Sequence, residues 1–326
     1  MNNNLSSSGG NQSQADNSFP VKGVFVDLQY VLDNKDRENV ILIDARPETK
    51  YLEGHIPGAI CMGKGSKMPV LVVKDLLLHV KSADKLAKIF GDKGIKRDSE
   101  IITYGAKSEY YAIYINWVLE LLGADKVCFY NNGINGAKRA NIKLATEPTT
   151  LMPVVFEPQF RNKLIITTEE VIKNEKSKEA VLIDIRPKAE VYGDDIRSLR
   201  GGKIPGAIHF DIENNWVGMK TKDLKPVTEL KDIYSSLAPA RDIILTCQIG
   251  IRTTYVYYIL KALGYTRIRN HEESWIIWGN RFDLPAEHER PAKLGQMAIN
   301  DLLRSIFVFL KNMPRWMTSF VPKGSG

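Results

Sequence analysis

The sequence predicts an α/β protein made of two similar domains, each a mostly parallel sheet flanked by helices, followed by an amphipathic helical tail. Three observations carry that prediction. A strand–loop–helix pattern occurs twice: Asp44 and Asp184 correspond at an offset of 140 residues (184 − 44). Short apolar runs end in charges, as buried parallel strands do at their carboxyl ends. The length of 326 residues suits two domains at roughly 100–200 residues each.

The repeat opens with VILIDARP at 40–47 and AVLIDIRP at 180–187. GHIPGAI (54–60) and GKIPGAI (202–208) follow, where Gly and Pro mark a turn before a short strand. The second copy carries an insertion, YGDDIRSLRG (192–201), which reads as a surface loop. Segments 99–133 and 241–275 form the third matching piece: an apolar strand, a loop, then a helix. Ile115, Val118, Leu119 and Leu122 share one helical face, as do Val256, Ile259, Leu260 and Leu263. Gly123 and Gly264 stand where helices end. The expected division is a disordered leader (1–20), a first domain (21–145), a linker (146–160), a second domain (161–290) and a tail (291–326).

Composition narrows the function. Hydrophobic residues make up 44% and charged residues 25%, enough apolar material for a real core. The formal charge of +7 is a mild field favouring anionic partners. No dense Lys/Arg block and no nucleic-acid motif is present, so nucleic acid is not an expected partner. Three cysteines without a CxxC pair speak against a disulfide framework and a thiolate metal site. Free thiols point to a reducing, cytoplasmic setting. The polar leader lacks the features of a signal peptide, and no run of about 18 apolar residues spans a membrane. No cofactor or metal is implied.

The chemistry centres on CQIGIR, Cys247 to Arg252. The strand Ile243–Thr246 delivers Cys247 to a carboxyl strand edge, where parallel α/β sheets keep their ligand sites. The loop Gln248, Ile249, Gly250, Ile251 then runs into a helix, so its backbone N–H groups can form an anion nest. Gly250 permits backbone angles that other residues resist, and Arg252 adds a forked cation. Such surroundings favour a thiolate, and the same nest suits a persulfide anion. A free cysteine by itself is more often an inert core thiol; here the loop reverses that reading. Cys61 and Cys128, in AICMG and KVCFY, keep the core reading.

The repeated IDAR/IDIR and GHIPGA/GKIPGA pairs, the CQIGIR loop and the closing SWIIWGNRFDLPAE (274–287) resemble the tandem-domain rhodanese family, thiosulfate or 3-mercaptopyruvate sulfurtransferases, over residues 21–288. The resemblance implies a Cys247 that cycles between thiolate and persulfide, taking sulfur from a small anionic donor and passing it to cyanide or a thiol. It implies an inactive first domain, because Gly105 or Ala106 stands where the nucleophile should be. Thiosulfate is the expected donor. The rivals are 3-mercaptopyruvate, for which CQIGIR lacks the usual CGSGVT loop, and a persulfide carrier without turnover. A cysteine phosphatase also pairs Cys with Arg, but with a longer loop. The animal pattern places cations two residues after the Cys and six after the Asp; Ile249 and Glu190 stand there instead. Arg186 is expected to pair with Asp184, largely for architecture, while adding to the positive field. Trp275 either walls the pocket or packs between domains.

The tail repeats an apolar stripe, Ile299, Leu302, Leu303, Ile306 and Leu310, with Asn300, Asp301, Arg304 and Lys311 away from it. The first reading is a helix docked by that stripe on this protein or a second subunit. The second is weak seating on a membrane surface, helped by Arg315, Trp316 and Lys323.

Overall fold

The computed structural model describes residues 18–65, 73–74, 79–106, 110–292 and 298–311. The leader up to residue 17 and the tail beyond 311, with Arg315, Trp316 and Lys323, lie outside the described residues.

The first half runs β1 (Phe25–Val26), α1 (Leu28–Asn34), β2 (Val40–Asp44), α2 (Glu48–Leu52), β3 (Ile60–Cys61), α3 (Ala83–Gly91), β4 (Glu100–Tyr104), α4 (Tyr110–Leu121), β5 (Val127–Tyr130) and α5 (Gly133–Arg139). Its sheet has the parallel order β1-β5-β4-β2-β3. The second half runs β6 (Ile165–Ile166), α6 (Thr168–Ser177), β7 (Val181–Asp184), α7 (Lys188–Val191), β8 (Arg200–Lys203), β9 (Ile208–His209), α8 (Val227–Ile233), β10 (Ile243–Thr246), α9 (Arg252–Ala262), β11 (Ile268–His271), α10 (Ser274–Trp278) and β12 (Glu287–Pro291). Its order, β6-β11-β10-β7-β9, is the same topology strand for strand. The tail forms α11 (Ile299–Lys311).

The central strands are covered on both faces, so they read as unbroken apolar runs rather than alternating ones: all five residues of β2 and all four of β10 are buried. Helix α6 starts on a capping box, in which Thr167 and Glu170 satisfy each other's backbone N–H groups. Helices α4 and α9 pack against each other and are buried almost all round. Their outer faces are covered by the opposite half, so no polar stripe was available to mark their orientation. At the seam Glu120 of α4 accepts from Tyr257 Oη (2.8 Å), Tyr258 Oη (2.8 Å) and Lys261 Nζ (2.7 Å) of α9. A continuous core then joins Ile101, Trp117 and Leu119 of one half to Ile243, Tyr255 and Ile259 of the other. Truncating Trp117 would cost about 3–5 kcal/mol, as deleting a fully buried indole generally does.

The insertion 192–201 is not a surface loop. Its end becomes β8, paired antiparallel with β12. Ser198 and Arg200 are buried, and Arg200 donates to the carbonyls of Arg281 and Leu284 at 2.7 and 2.6 Å.

Within this chain the tail helix is not docked by its apolar stripe. Ser305 and Val308 face the protein, while Leu303, Ile306 and Leu310 of the apolar stripe are exposed. Among the described residues no helix is long and apolar enough to cross a membrane.

Candidate active site

Cys247 follows β10 directly, with no exposed surface of its own. Its carbonyl accepts from Trp275 N at 3.1 Å, and the Gln248 carbonyl accepts from Ile276 N at 2.9 Å. Its own N–H donates to Ser274 Oγ at 3.1 Å, and that hydroxyl lies 4.0 Å from the sulfur. Ser274 has φ 48°, the left-handed region that side chains disfavour by about 1–2 kcal/mol. Its hydroxyl also donates to the His271 carbonyl at 2.5 Å, which helps to hold the turn. Sequence reading passed over Ser274; nothing in its local pattern signals a strained turn.

The loop is braced from outside and open within. Gly250 has φ 68°, and a Cβ there would come within 2.3 Å of the Glu272 carbonyl oxygen, so no other residue fits. Its carbonyl accepts from Thr253 Oγ1 (2.7 Å) and Asn270 Nδ2 (2.9 Å). Gln248 turns outward, its Nε2 donating to Ser198 Oγ at 3.1 Å and the Arg197 carbonyl at 3.2 Å. Among the described residues the N–H groups of Gln248, Ile249, Gly250 and Ile251 have no protein acceptor. Unpaired backbone donors at the start of a helix are the arrangement that can receive an anion.

Arg252 is placed differently from the expected fork on a donor. Its Nη1 and Nη2 each donate to a Glu190 oxygen at 2.7 Å. Burial works against its charge, but the Glu190 carboxylate outweighs that and holds its pKa above the usual value. Glu190 is buried and also meets Arg197 at 3.3 Å. It is therefore a brace paired with two arginines rather than a free charge facing the cavity. Arg197, also held by Asp195 at 2.5 Å, is a pocket cation that reading the insertion as surface had hidden.

Arg186 is not among the residues that line the cavity beside the loop. It is buried, with Nε and Nη2 on Asp184, Nη2 on the Gly202 carbonyl at 2.6 Å, and its guanidinium 4.7 Å above the Trp275 ring. The positive field expected of it is satisfied locally. Trp275 lies beneath it within the second half's own core, neither walling the pocket nor packing between domains. Its neighbour Ile276 reaches the pocket instead.

Above the loop lies a small cavity of about 140 Å³. Its lining combines Gln248, Ile249, Ile251 and Arg252 of the loop with Arg197 and Ile276, with Tyr110 and Tyr111 of the first half, and with Asp301 and Arg304 of α11. Behind the loop, Glu272 is buried with Lys74 and accepts from Tyr114 Oη at 3.0 Å, so the first half braces the loop end of the second. The other thiols are elsewhere. Cys128 is buried, and Cys61, read as a core residue, is half-buried and lines a separate cavity. Burial pushes each of these two thiols up to about 11. Among the described residues no group of His, Cys, Asp and Glu could hold a metal ion.

The rhodanese-like domain model matches residues 27–140 and again 167–281. A thiosulfate sulfurtransferase of Corynebacterium glutamicum is 30% identical over 250 residues, covering 73% of this chain and 81% of its own. A probable 3-mercaptopyruvate sulfurtransferase of Schizosaccharomyces pombe is 29% identical over 288 residues, covering 81% of this chain and 92% of its own. Among solved structures, the Escherichia coli 3-mercaptopyruvate sulfotransferase SseA superposes with a TM-score of 0.67 at 23% identity, covering 77% of this chain and 98% of that one. With the same sheet built twice and the family's domain matched twice, the chain belongs to the rhodanese family of sulfurtransferases, with two rhodanese domains in tandem.

Proposed function

We propose that the protein is a thiosulfate sulfurtransferase whose second domain is catalytic and whose first is not. Cys247 is the nucleophile. Its thiolate attacks the outer sulfur of thiosulfate; the S–S bond breaks and sulfite leaves with the bonding pair. The Cys247 persulfide anion then rests in the nest of Gln248 to Ile251 N–H groups. Cyanide or a thiolate attacks the outer persulfide sulfur, and Cys247 departs as a thiolate, so no net proton or electron is required. The single observation that carries this is the unpaired row of loop N–H groups beside a buried Cys247.

The cavity's size supports a compact donor, and Gly250 sets the loop that holds it. In this reading Arg252 and Glu190 lock the loop, while Arg197 faces the donor. Three unpaired cysteines suit a reducing, cytoplasmic compartment. The outward apolar face of α11, Leu303, Ile306, Phe307 and Leu310, supports weak contact with an anionic lipid surface. Liposome co-sedimentation at low salt tests that contact, and protein that stays wholly in the supernatant removes it.

The main test is to incubate the protein with thiosulfate and map the added sulfur by mass spectrometry. Sulfur on Cys247 is expected; sulfur on Cys61 or Cys128 with none on Cys247 overturns the assignment. Steady-state kcat/KM with thiosulfate and with 3-mercaptopyruvate, cyanide as acceptor, decides the donor and separates an enzyme from a carrier that does not turn over.

A further inference from the structure

Helix α11 meets the protein with a mixed strip rather than its most apolar one. Ser305 and Val308 are buried, and Phe309 rests edge-on against Phe282 with ring centres 5.9 Å apart. Asp301 and Arg304 continue that strip at helical spacing and reach the cavity over the Cys247 loop. The opposite strip, Leu303, Ile306, Phe307 and Leu310, faces outward. A helix docked for burial alone would turn that strip inward. The side chosen is the one that brings a cation to the pocket.

The charge state of the pocket adds a second argument. Both Nη groups of Arg252 are held by Glu190. Arg197 is shared between Asp195 and Glu190. Arg304 has, among the described residues, one carboxylate partner, Asp301, at a long 3.4 Å. A guanidinium offers five N–H donors, so most of its capacity is not taken up by the described residues. Of the three arginines lining the cavity it is the least neutralised.

We propose that Arg304 is a specificity-determining residue that the carboxyl-terminal helix adds to the sulfur-transfer pocket, where it binds the anionic end of a small oxyanion donor, with Asp301 as its positioning residue. This rests on the reading of the cavity as the donor site. Thiosulfate approaches with its outer sulfur toward Cys247 and its oxygens toward solvent, which is the side α11 occupies.

The experiment uses the full chain, with thiosulfate varied and cyanide saturating. Arg304→Gln is expected to raise KM for thiosulfate about tenfold with kcat within about twofold, the size of one charge-assisted contact made equally before and during reaction. Arg304→Lys recovers part of the loss, and added salt raises the wild-type KM more than that of Arg304→Gln. Leu303→Gln, on the outward strip, keeps the wild-type KM. A chain ending at Ala292 shows the same rise in KM as Arg304→Gln. Unchanged KM in Arg304→Gln, or a fall in kcat alone, overturns the inference. Mass spectrometry of the wild type separates the two levels: if thiosulfate fails to load Cys247, the donor reading itself fails; if it loads and KM is indifferent to Arg304, only this inference does.

Discussion

The two domains share a sheet order, and the turn after the central strand is where the thiol separates them. In the first, Tyr104 accepts from Ala45 N, and Gly105 and Ala106 accept from Ile134 and Asn135. In the second, Thr246 accepts from Ile185 N, and Cys247 and Gln248 accept from Trp275 and Ile276. Gly105 is therefore the counterpart of Cys247, and Gly133 that of Ser274. The buried brace also recurs: Arg46 on Asp44 and the Gly54 carbonyl, Arg186 on Asp184 and the Gly202 carbonyl. A feature kept in both domains serves the fold. A feature present in one, the thiol with its strained serine, is where the proposed reaction is placed.

The largest expected effect tests that distinction directly. Cys247→Ser removes persulfide formation and lowers turnover by at least about 10³-fold, since a hydroxyl neither accepts sulfane sulfur nor ionises there. Gly105→Cys, in the otherwise intact chain, gains no persulfide when thiosulfate is added. A persulfide at position 105 on mass spectra would show that the fold alone suffices and break the comparison.

Next comes the brace that only the second domain has. Arg252→Ala leaves Glu190 buried with Arg197 as its remaining partner, and should destabilise the protein by about 3–5 kcal/mol, as breaking a buried pair does. Urea denaturation reads this. Glu190→Gln with Arg252→Met, which removes both charges, should recover much of it. A double variant as unstable as Arg252→Ala would mean that the pair was not the cause.

A smaller effect is expected from making the second domain like the first at its turn. Ser274→Gly removes the left-handed strain and the hydroxyl that receives the Cys247 N–H. Stability should change by less than about 1 kcal/mol, because the two terms oppose. Turnover should fall roughly tenfold, the value of one hydrogen bond near the reacting atom. Thermal unfolding and kcat, measured on the same preparation, check both.

Much of this was legible in the sequence because backbone repeats leave residue repeats. The paired IDxR and IPGAI segments, the strand into CQIGIR and the glycines at 123 and 264 all mark local geometry. What stayed hidden depends on distant partners. Glu190 reads as a missing cation until Arg252 is seen closing on it across 62 residues. Arg197 and Ser198 sit in a segment whose polar composition is that of a loop, yet they hold Gln248. The stripe on α11 does not say what it docks on: within this chain Leu303, Ile306 and Leu310 stay exposed, because periodicity identifies two sides of a helix and not which one is covered.

The last prediction turns on a further difference between the domains. His271, on β11, matches Tyr130 on β5 in the parallel registers. His271 is buried between Thr168 Oγ1 (3.0 Å) and Thr246 Oγ1 (3.2 Å). Burial lowers its pKa from the ordinary imidazole value to about 4, although the charges of Glu273 and Asp184 pull the other way. Tyr130 is displaced upward by burial and stays neutral in acid. Between pH 6.5 and about 4 the unfolded chain binds a proton at residue 271 that the folded chain refuses. The histidine's contribution is thus whole above pH 6.5 and is lost as pH falls through that window. By pH 5.5 the loss should be roughly 1 kcal/mol, from the linkage relation applied to that shift. His271→Gln, which keeps a donor and an acceptor for the two threonines, should flatten the slope of stability between pH 7 and 5.5. Hydrogen exchange should show the acid loosening at β10 and β11, ahead of β4 and β5. An unchanged slope in His271→Gln, or loosening that begins in the first domain, would assign the acid sensitivity to other groups.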